Sequence, residues 1–152
     1  MNLSPQEFLP LAEATGKICF WDIESTGLKG DYNSMLCSSI KPYGKKPVSF
    51  VASRPGDDRA VVTATCKELE KYLVWVTYYG RGFDFPFLQT RIVKHGLPLV
   101  VKRHHLDMYW AGKSHLLTGR RSQAHLIEWL DTPHKKMTLT ADMWNKAISD
   151  PG

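Results

Sequence analysis

The chain has 152 residues, of which 43% are hydrophobic and 23% are charged. These values are typical of one globular domain with its own hydrophobic core, and they argue against a disordered or low-complexity protein. Twenty Lys and Arg residues exceed fifteen Asp and Glu residues, so the net charge is +5. Nine of the basic residues and all six histidines lie between Gln89 and Lys136, where only three acidic residues occur. A basic stretch of this kind favours a polyanionic partner.

Cysteine usage and the absence of targeting signals indicate where the protein resides. Cys19, Cys37 and Cys66 are odd in number and lack the C-x-x-C spacing. We therefore expect free thiols in a reducing compartment rather than a disulfide framework or a zinc site. The N-terminus shows no signal-peptide pattern and no apolar run reaches membrane-spanning length, which predicts an intracellular, cytoplasmic protein without membrane association.

The first third of the chain predicts a short helix followed by three strands. Ser4-Pro5-Gln6-Glu7 resembles a capping box with Pro at the first helical position, so a helix should run to about Ala14. Ile18–Asp22 is apolar until its last residue and is typical of a buried strand. Ser34–Ile40 and Pro47–Ala52 are separated by turn residues and predict two further strands in an antiparallel meander with the first.

The next segments predict alternating helices and strands. Arg54–Arg59 contains Pro, Gly and two Asp and should be a loop, and Thr65–Tyr72 has helical character. Leu73–Tyr78 predicts a fourth strand, parallel to the first, and Pro98–Lys102 a fifth that leads into Asp107. Further helices are expected around Trp110, over Gln123–Leu130 and over Thr140–Ile148. Together these elements predict an α/β fold in which helices flank a mixed sheet.

Two acidic residues stand at the end of the first predicted strand. Asp22 and Glu24 are two positions apart, so in an extended backbone both side chains leave the same face of the sheet. Two carboxylates in this arrangement repel each other unless a cation lies between them, and Mg²⁺ prefers carboxylate oxygens. A solvated strand end with two surface acids is the alternative interpretation of these two residues alone.

A third acidic residue, Asp84, follows the fourth predicted strand. It comes after a glycine-containing turn and opens a predicted helix that ends near His95 and Gly96. An Asp at this position is typical of a helix N-cap. If the fourth strand neighbours the first, however, Asp84 should also lie near Asp22 and Glu24.

The two acidic segments together resemble a known family. FWDIESTGL, followed by VTYYGRGFDFPFLQTRIVKHGLP, is similar to the first two motifs of DEDD-type 3′→5′ exonucleases, which have a ribonuclease-H-like fold. The predicted ribonuclease-H-like exonuclease group and the proofreading domains of B-family DNA polymerases are the relatives that this resemblance indicates. HLDMYW after the fifth predicted strand and a helix ending in Trp144 extend the similarity over most of the chain.

The resemblance implies a two-metal nuclease site. Asp22, Glu24 and Asp84 match the family's catalytic metal ligands, which bind two Mg²⁺ or Mn²⁺ ions, and Thr26 and Gly27 match positions that contact nucleic acid. Two ions about 3.5–4 Å apart stabilise the charge that develops on the attacking water and on the leaving oxygen of a phosphodiester. The expected substrate is a single-stranded or frayed nucleic acid, with DNA favoured over RNA. No residue of the sequence by itself distinguishes a DNA substrate from an RNA substrate.

The sequence departs from the family pattern in two places. Tyr79 stands where the family commonly has Asn. The family's last motif supplies a fourth Asp, with a His or Tyr, from a helix that normally follows a segment such as Trp144–Asp150, whereas this sequence ends at Gly152. Asp142 and Asp150, the last carboxylates, lack the expected surroundings. We therefore expect one domain over residues 1–152 that stops before the last catalytic helix, and the alternatives are an impaired nucleic-acid-binding module and a fragment of a longer nuclease.

Aromatic and basic residues near the predicted site have two interpretations each. Tyr79 and Phe83, beside the turn before Asp84, could stack on a terminal base, although most aromatic strand residues pack in the core. The pairs Lys102-Arg103 and Arg120-Arg121 could contact phosphates, with a solvated basic surface as the alternative. His104 and His105 would face opposite sides of a strand, so they do not predict a metal site.

Overall fold

A computed structural model describes residues 10, 16–101, 103–134, 136–137 and 140–149. Its strands are β1 (Ile18–Ser25), β2 (Met35–Pro42), β3 (Val48–Val51), β4 (Val74–Thr77) and β5 (His104–Asp107). The helices of the described residues are α1 (Arg59–Leu69), α2 (Asp84–Lys94), α3 (Met108–His115), α4 (Gln123–Trp129) and α5 (Ala141–Ser149). Apart from residue 10, the helix predicted between Ser4 and Ala14 lies outside the described residues.

The five strands form one mixed sheet in the order β3-β2-β1-β4-β5. β1 pairs antiparallel with β2, and β2 pairs antiparallel with β3. β4 lies parallel to β1 on one side and to β5 on the other. The predicted meander and the parallel pairing of the first and fourth strands are therefore confirmed, and β1 is the central strand.

The two faces of β1 have different environments. Cys19, Trp21 and Ile23 are buried on the inner face, within a cluster that includes residues of α1 and α2 such as Val62 and Leu88. The alternate residues of β1, including both predicted acidic ligands, leave the outer face, where residue 22 lies opposite residue 39 of β2. The core of the domain thus fixes the direction in which the acidic side chains point.

A buried ion pair anchors α2 against the rest of the domain. The carboxylate of Asp58, fully buried before α1, accepts hydrogen bonds from the Nε and Nη2 of Arg91, both at 2.8 Å. It also accepts from the Met35 amide at 2.7 Å and lies 2.7 Å from Nε2 of His95. Burial alone would raise the pKa of Asp58, but these hydrogen bonds outweigh it and lower the pKa. The last turn of α2 is therefore tied to the beginnings of α1 and β2.

Two predicted elements differ from the structure. The apolar run Pro98–Lys102 is not a strand over residues 98–101, and residue 102 is outside the described part of the chain. Pro98 has no amide for a sheet ladder, and the parallel register pairs Val74 with His104, so β5 begins later. The side chain of Val100 is instead buried in the core, with 5% exposure.

The first described helix begins earlier than the prediction at Thr65. It starts at Arg59 because Val61 and Val62 fill the core, with exposures of 2% and 0%. Asp58 precedes the helix without capping it through its side chain, since its carboxylate is used by Arg91. No helix among the described residues is long and apolar enough to cross a membrane.

Candidate active site

Asp22 and Glu24 lie side by side on the outer face of β1. The side chain of Asp22 is exposed and that of Glu24 is half-buried. The pairing register with β2 shifts between Glu24 and Ser25, which ends the regular ladder immediately after the second acid. The strand therefore presents both carboxylates just before the chain turns away, as the two-residue spacing predicts.

Asp84 is brought against β1 by a hydrogen bond from the strand itself. Its Oδ1 accepts from the backbone amide of Ile23 at 3.0 Å, and the residue is only 3% exposed. The prediction that Asp84 is an N-cap is wrong, because it lies in the first turn of α2, after the capping position of Phe83. Its carboxylate joins the start of the helix to the central strand.

The carboxyl groups of Asp22 and Asp84 are in hydrogen-bonding contact with each other. Burial, together with the charge of Asp22, raises the pKa of Asp84 to about 7. The pKa of Asp22 is raised as well, because the surrounding protein displaces part of its water even though the side chain remains reachable. Near neutral pH Asp84 therefore retains part of its proton unless a cation is bound beside it.

Glu24 and Lys136 complete the electrostatic surroundings of this pair. Burial and the charge of Asp22 raise the pKa of Glu24, whereas the positive charge of Lys136 lowers the pKa of both Asp22 and Glu24. For Lys136 the only signal in the sequence is the excess of basic residues up to that position. Its place beside the acidic residues depends on folding of the segment after α4.

The donor set suits a hard divalent cation only in part. Asp22 and Asp84 offer adjacent carboxylate oxygens whose mutual repulsion a cation would relieve. Within the described ranges, however, no three His, Cys, Asp or Glu side chains are grouped closely enough to hold a metal ion. Glu24 contributes negative charge next to Asp22 without joining such a group, and the exposed Asp142 in the first turn of α5 does not join one either.

Thr26 and Gly27 shape the loop that leaves β1. The Thr26 Oγ1 accepts from the Ser34 amide, and the Thr26 amide donates to the Ser34 carbonyl, both at 3.0 Å. A Cβ on Gly27 would lie 2.5 Å from Oδ1 of Asn33, so a side chain there would require Asn33 to move. The loop is thereby closed directly after Glu24. The predicted nucleic-acid contacts of Thr26 and Gly27 stay a prediction.

The two predicted stacking residues are placed differently. Tyr79 is 45% exposed. Its backbone φ is 64°, in the left-handed region that residues other than glycine rarely adopt. Phe83 is half-buried against the main core, with its ring 5.5 Å from that of Phe87. Tyr79 is therefore the ring that solvent and ligands can reach more readily.

An open cleft of about 490 Å³ runs along the outer face from Asp22. Phe20 and Tyr78 form part of its apolar lining, and Lys41 and Gln123 are among its polar lining residues. The cleft lies on the outer face of the sheet, so the side chain of Asp22 opens into accessible space rather than into the core.

The other basic and histidine positions lie apart from this group. Arg120 and Arg121 are exposed, whereas Arg103 is half-buried and Lys102 is outside the described residues. His105 lies with its Nε2 2.8 Å from Oγ1 of Thr77. Neither His105 nor its neighbour joins a group of three potential metal ligands among the described residues. Cys19, Cys37 and Cys66 are all free thiols.

Comparison with models of protein families identifies the superfamily of this chain. Residues 19–133 match the model of the RNase H superfamily. The chain therefore belongs to the RNase H superfamily, in agreement with the mixed sheet and with the resemblance of its motifs. A search among curated proteins gives no match.

Two solved structures share the fold. One is the family B DNA polymerase from the hyperthermophilic archaeon Pyrobaculum calidifontis, at 21% identity and a TM-score of 0.62, covering 74% of this chain and 18% of the polymerase. The other is Brucella melitensis NrnC bound to pGG, at 18% identity and a TM-score of 0.56, covering 88% of this chain and 66% of NrnC. The chain thus spans less than two thirds of either protein, and the likeness at this identity concerns the fold.

Proposed function

We propose that this chain is a metal-dependent 3′→5′ exonuclease domain that removes nucleotides from single-stranded or frayed ends. The observation that supports it most directly is the contact between the carboxyl groups of Asp22 and Asp84, which the fold brings together from positions 62 residues apart in sequence. Such a pair is costly to ionise and gains most from a divalent cation.

The site residues have distinct roles in this proposal. Asp22 and Asp84 hold Mg²⁺ or Mn²⁺, with Glu24 adding negative charge beside them. When bound, such ions polarise the phosphodiester and lower the pKa of a bound water. Lys136 offsets part of the negative potential at the acidic residues, which would otherwise repel the phosphate backbone.

The proposed reaction is hydrolysis of the last phosphodiester bond. A water oxygen forms a bond to phosphorus while the bond from phosphorus to the 3′ oxygen of the penultimate nucleotide breaks. The departing oxygen takes a proton and becomes the new 3′ hydroxyl, and the released nucleotide keeps the 5′ phosphate. Thr26, Gly27 and Tyr79 are placed in this scheme beside the terminal nucleotide. The 3′→5′ direction comes from the motif resemblance.

A nucleic-acid-binding module that cleaves poorly is the second candidate. It is favoured by the lack of a three-residue metal group among the described residues. A centre with fewer ligands holds a second ion weakly, and loss of one oriented charge stabiliser typically costs about 10²–10³ in rate. Both candidates bind single strands in a salt-sensitive way.

One digestion series tests the proposal. Single-stranded DNA and RNA of one sequence, labelled at either end, are incubated with Mg²⁺ or Mn²⁺ and with EDTA. The proposal expects 5′-labelled strands to shorten stepwise and 3′-labelled strands to release one labelled mononucleotide. Asp84→Asn should reduce the rate at least about 100-fold, while Asp142→Asn, which alters an exposed carboxylate of α5, should not.

The outcomes of this series separate the two candidates. Strand binding without metal-dependent cleavage would establish the binding module. Cleavage that survives Asp84→Asn unchanged would contradict the site assignment, and internal cuts would contradict an exonuclease.

A further inference from the structure

The turn between β4 and α2 holds a tyrosine in an unusual backbone conformation. Tyr79 has a φ of 64°, although it carries a full side chain. Such a conformation persists only where the surrounding structure enforces it, and such residues cluster at functional sites. The structure shows which residue enforces it here.

Asp107, the last residue of β5, clamps this turn from the neighbouring strand. Its Oδ1 accepts from the amide of Tyr79 and its Oδ2 from the amide of Arg81, both at 2.9 Å. Oδ1 also accepts from the amide of Tyr109 at 3.0 Å. With only 3% exposure, the carboxylate has few alternatives to these three donors. Asp107 therefore fixes the backbone on both sides of Gly80.

The ring of Tyr79 is held at its sides while much of it stays accessible. A Cβ at Gly82 would lie 2.5 Å from Cζ of Tyr79, so the ring occupies the space that a side chain at position 82 would need. The ring of Tyr109 meets it edge to face, with centroids 5.0 Å apart. Despite these contacts 45% of Tyr79 is exposed. A ring that is fixed in this way and open to solvent has the form of a stacking surface.

The same turn leads directly into the acidic site. The amides of Gly82 and Phe83 donate to the Tyr79 carbonyl at 2.9 and 3.0 Å, and the Phe85 amide donates to the Gly80 carbonyl at 2.9 Å. These hydrogen bonds make Tyr79 part of one rigid turn with the first residues of α2, where Asp84 lies. A base held on the Tyr79 ring would therefore be held at a set position relative to the acidic pair.

We propose that Asp107 is a positioning residue that holds Tyr79 as a stacking platform for an unpaired nucleobase near the strand end. This inference rests on the proposed function, since it assumes that the substrate is a nucleic acid. The chemistry points to a base because every base offers a π-face to an aromatic ring, whatever its sequence. The exposed side chain of Arg81, on the same clamped turn, is available to a neighbouring phosphate. Asp107 acts on the ligand through the backbone of Tyr79 rather than by touching it.

The test measures binding without cleavage. The full chain in EDTA is titrated into a single-stranded oligonucleotide carrying 2-aminopurine as its 3′-terminal base, whose fluorescence reports stacking. Tyr79→Gly removes the ring and suits the left-handed backbone, so the variant should fold at least as well as the wild type. Tyr79→Phe keeps the ring. Tyr43→Ala, at a ring that is 49% exposed in the turn after β2, is the control.

The proposal expects Tyr79→Gly to weaken binding about 5- to 100-fold and to abolish the fluorescence change, because stacking on one aromatic ring contributes this much. Tyr79→Phe and Tyr43→Ala should stay within about twofold of the wild type. In Asp107→Asn one of the amide donors loses its acceptor. This variant should therefore weaken binding, but less than Tyr79→Gly does. In the double variant Asp107→Asn with Tyr79→Gly, binding should be no weaker than in Tyr79→Gly alone, because both changes remove the same platform.

Additive losses in the double variant would overturn the positioning role, since a merely structural Asp107 would weaken binding independently of the ring. Unchanged binding by Tyr79→Gly would overturn the platform. Stacking without cleavage in the digestion series would leave the platform standing and replace the exonuclease by the binding module. Cleavage with no effect of Tyr79→Gly would overturn the platform alone.

Discussion

The carboxyl groups of Asp22 and Asp84 share one site although only Asp22 is exposed to solvent. Asp84 is held there by the amide of Ile23, the residue after Asp22, so the contact is built into the packing of α2 on β1. The fold therefore keeps two like charges together without supplying either of them with an ion pair at hydrogen-bonding distance within the described residues. This arrangement has consequences for stability, for cation binding and for titration.

The first prediction is that Asp84→Asn stabilises the protein at alkaline pH in the absence of divalent cations. Because the pKa of Asp84 rises from 3.8 to about 7 on folding, the native state binds more protons than the unfolded state between these values. Wild-type stability then falls as the pH rises from 4 to 7, by roughly 4 kcal/mol at most. The amide of Asn keeps an acceptor for Ile23 and removes this penalty.

Urea unfolding in EDTA measures the effect. The variant should exceed the wild type in free energy of unfolding at pH 8, and the difference should shrink as the pH approaches 4. A variant less stable than the wild type at pH 8 would contradict the raised pKa of Asp84.

The second prediction is that Mn²⁺ stabilises the wild type through the Asp22–Asp84 pair. At about 100 times its Kd, a ligand that binds only the native state adds about 2.7 kcal/mol. The gain should be larger at pH 8 than at pH 5, because protons compete with the cation for the two carboxylates. Thermal unfolding with and without Mn²⁺ measures it.

Asp22→Asn and Asp84→Asn should each remove most of this Mn²⁺-dependent increase in Tm. Asp142→Asn is the matched control, with the same loss of one carboxylate at an exposed helix position. If the three variants respond to Mn²⁺ alike, the cation does not bind at the proposed pair.

The third prediction concerns Lys136. Because its charge lowers the pKa of Asp22 and Glu24, Lys136→Met should raise the pKa of both carboxyl groups, whereas Lys136→Arg should leave them close to the wild type. The change should diminish in high salt, since the Debye length falls from about 10 Å at 0.1 M to about 3 Å at 1 M. NMR titration of the side-chain carboxyl carbons measures these values directly.

Lys146→Met, in the last turn of α5, gives the same change in net charge and serves as the control. Equal titration shifts in Lys136→Met and Lys146→Met would mean that only the overall charge matters. Lys136 would then have no particular role at the acidic site.

The sequence predicts those parts of the fold that depend on local patterns. The apolar run from Ile18 to Trp21 identifies the central strand, and the two-residue spacing of Asp22 and Glu24 places both acids on one of its faces. The parallel neighbour of that strand follows from an apolar run, and its position explains why Asp84 comes close. These are short-range signals that the tertiary structure leaves unchanged.

Other features depend on packing between distant segments and escape such patterns. The apolar run around Val100 has the composition of a strand, but the ladder beside β4 is formed by His104 and the residues that follow it. The role of Asp107 is not evident from the sequence, because its donors, the amides of Tyr79 and Arg81, are 28 and 26 residues away. Long-range contacts of this kind become evident only when the sheet order is known.

The last prediction tests the anchor at the far end of α2. Arg91→Met leaves the buried carboxylate of Asp58 without its guanidinium partner, and breaking a buried pair in this way typically costs about 3–5 kcal/mol. Replacing both partners, by Asp58→Asn with Arg91→Met, should cost less than the sum of the single changes, because Asn still accepts from Met35 and no buried charge remains unpaired.

Arg54→Met is the control, since Arg54 and Asp57 form an exposed pair at 3.8 Å, whose loss should cost at most about 1 kcal/mol. Urea unfolding at pH 7 of the wild type, both single variants, the double variant and Arg54→Met gives these free energies. Because Asp84 lies in the first turn of the same helix, Arg91→Met should also weaken the stabilisation by Mn²⁺, whereas Arg54→Met should not. A cost for Arg91→Met no greater than for Arg54→Met would show that the buried pair does not anchor the helix.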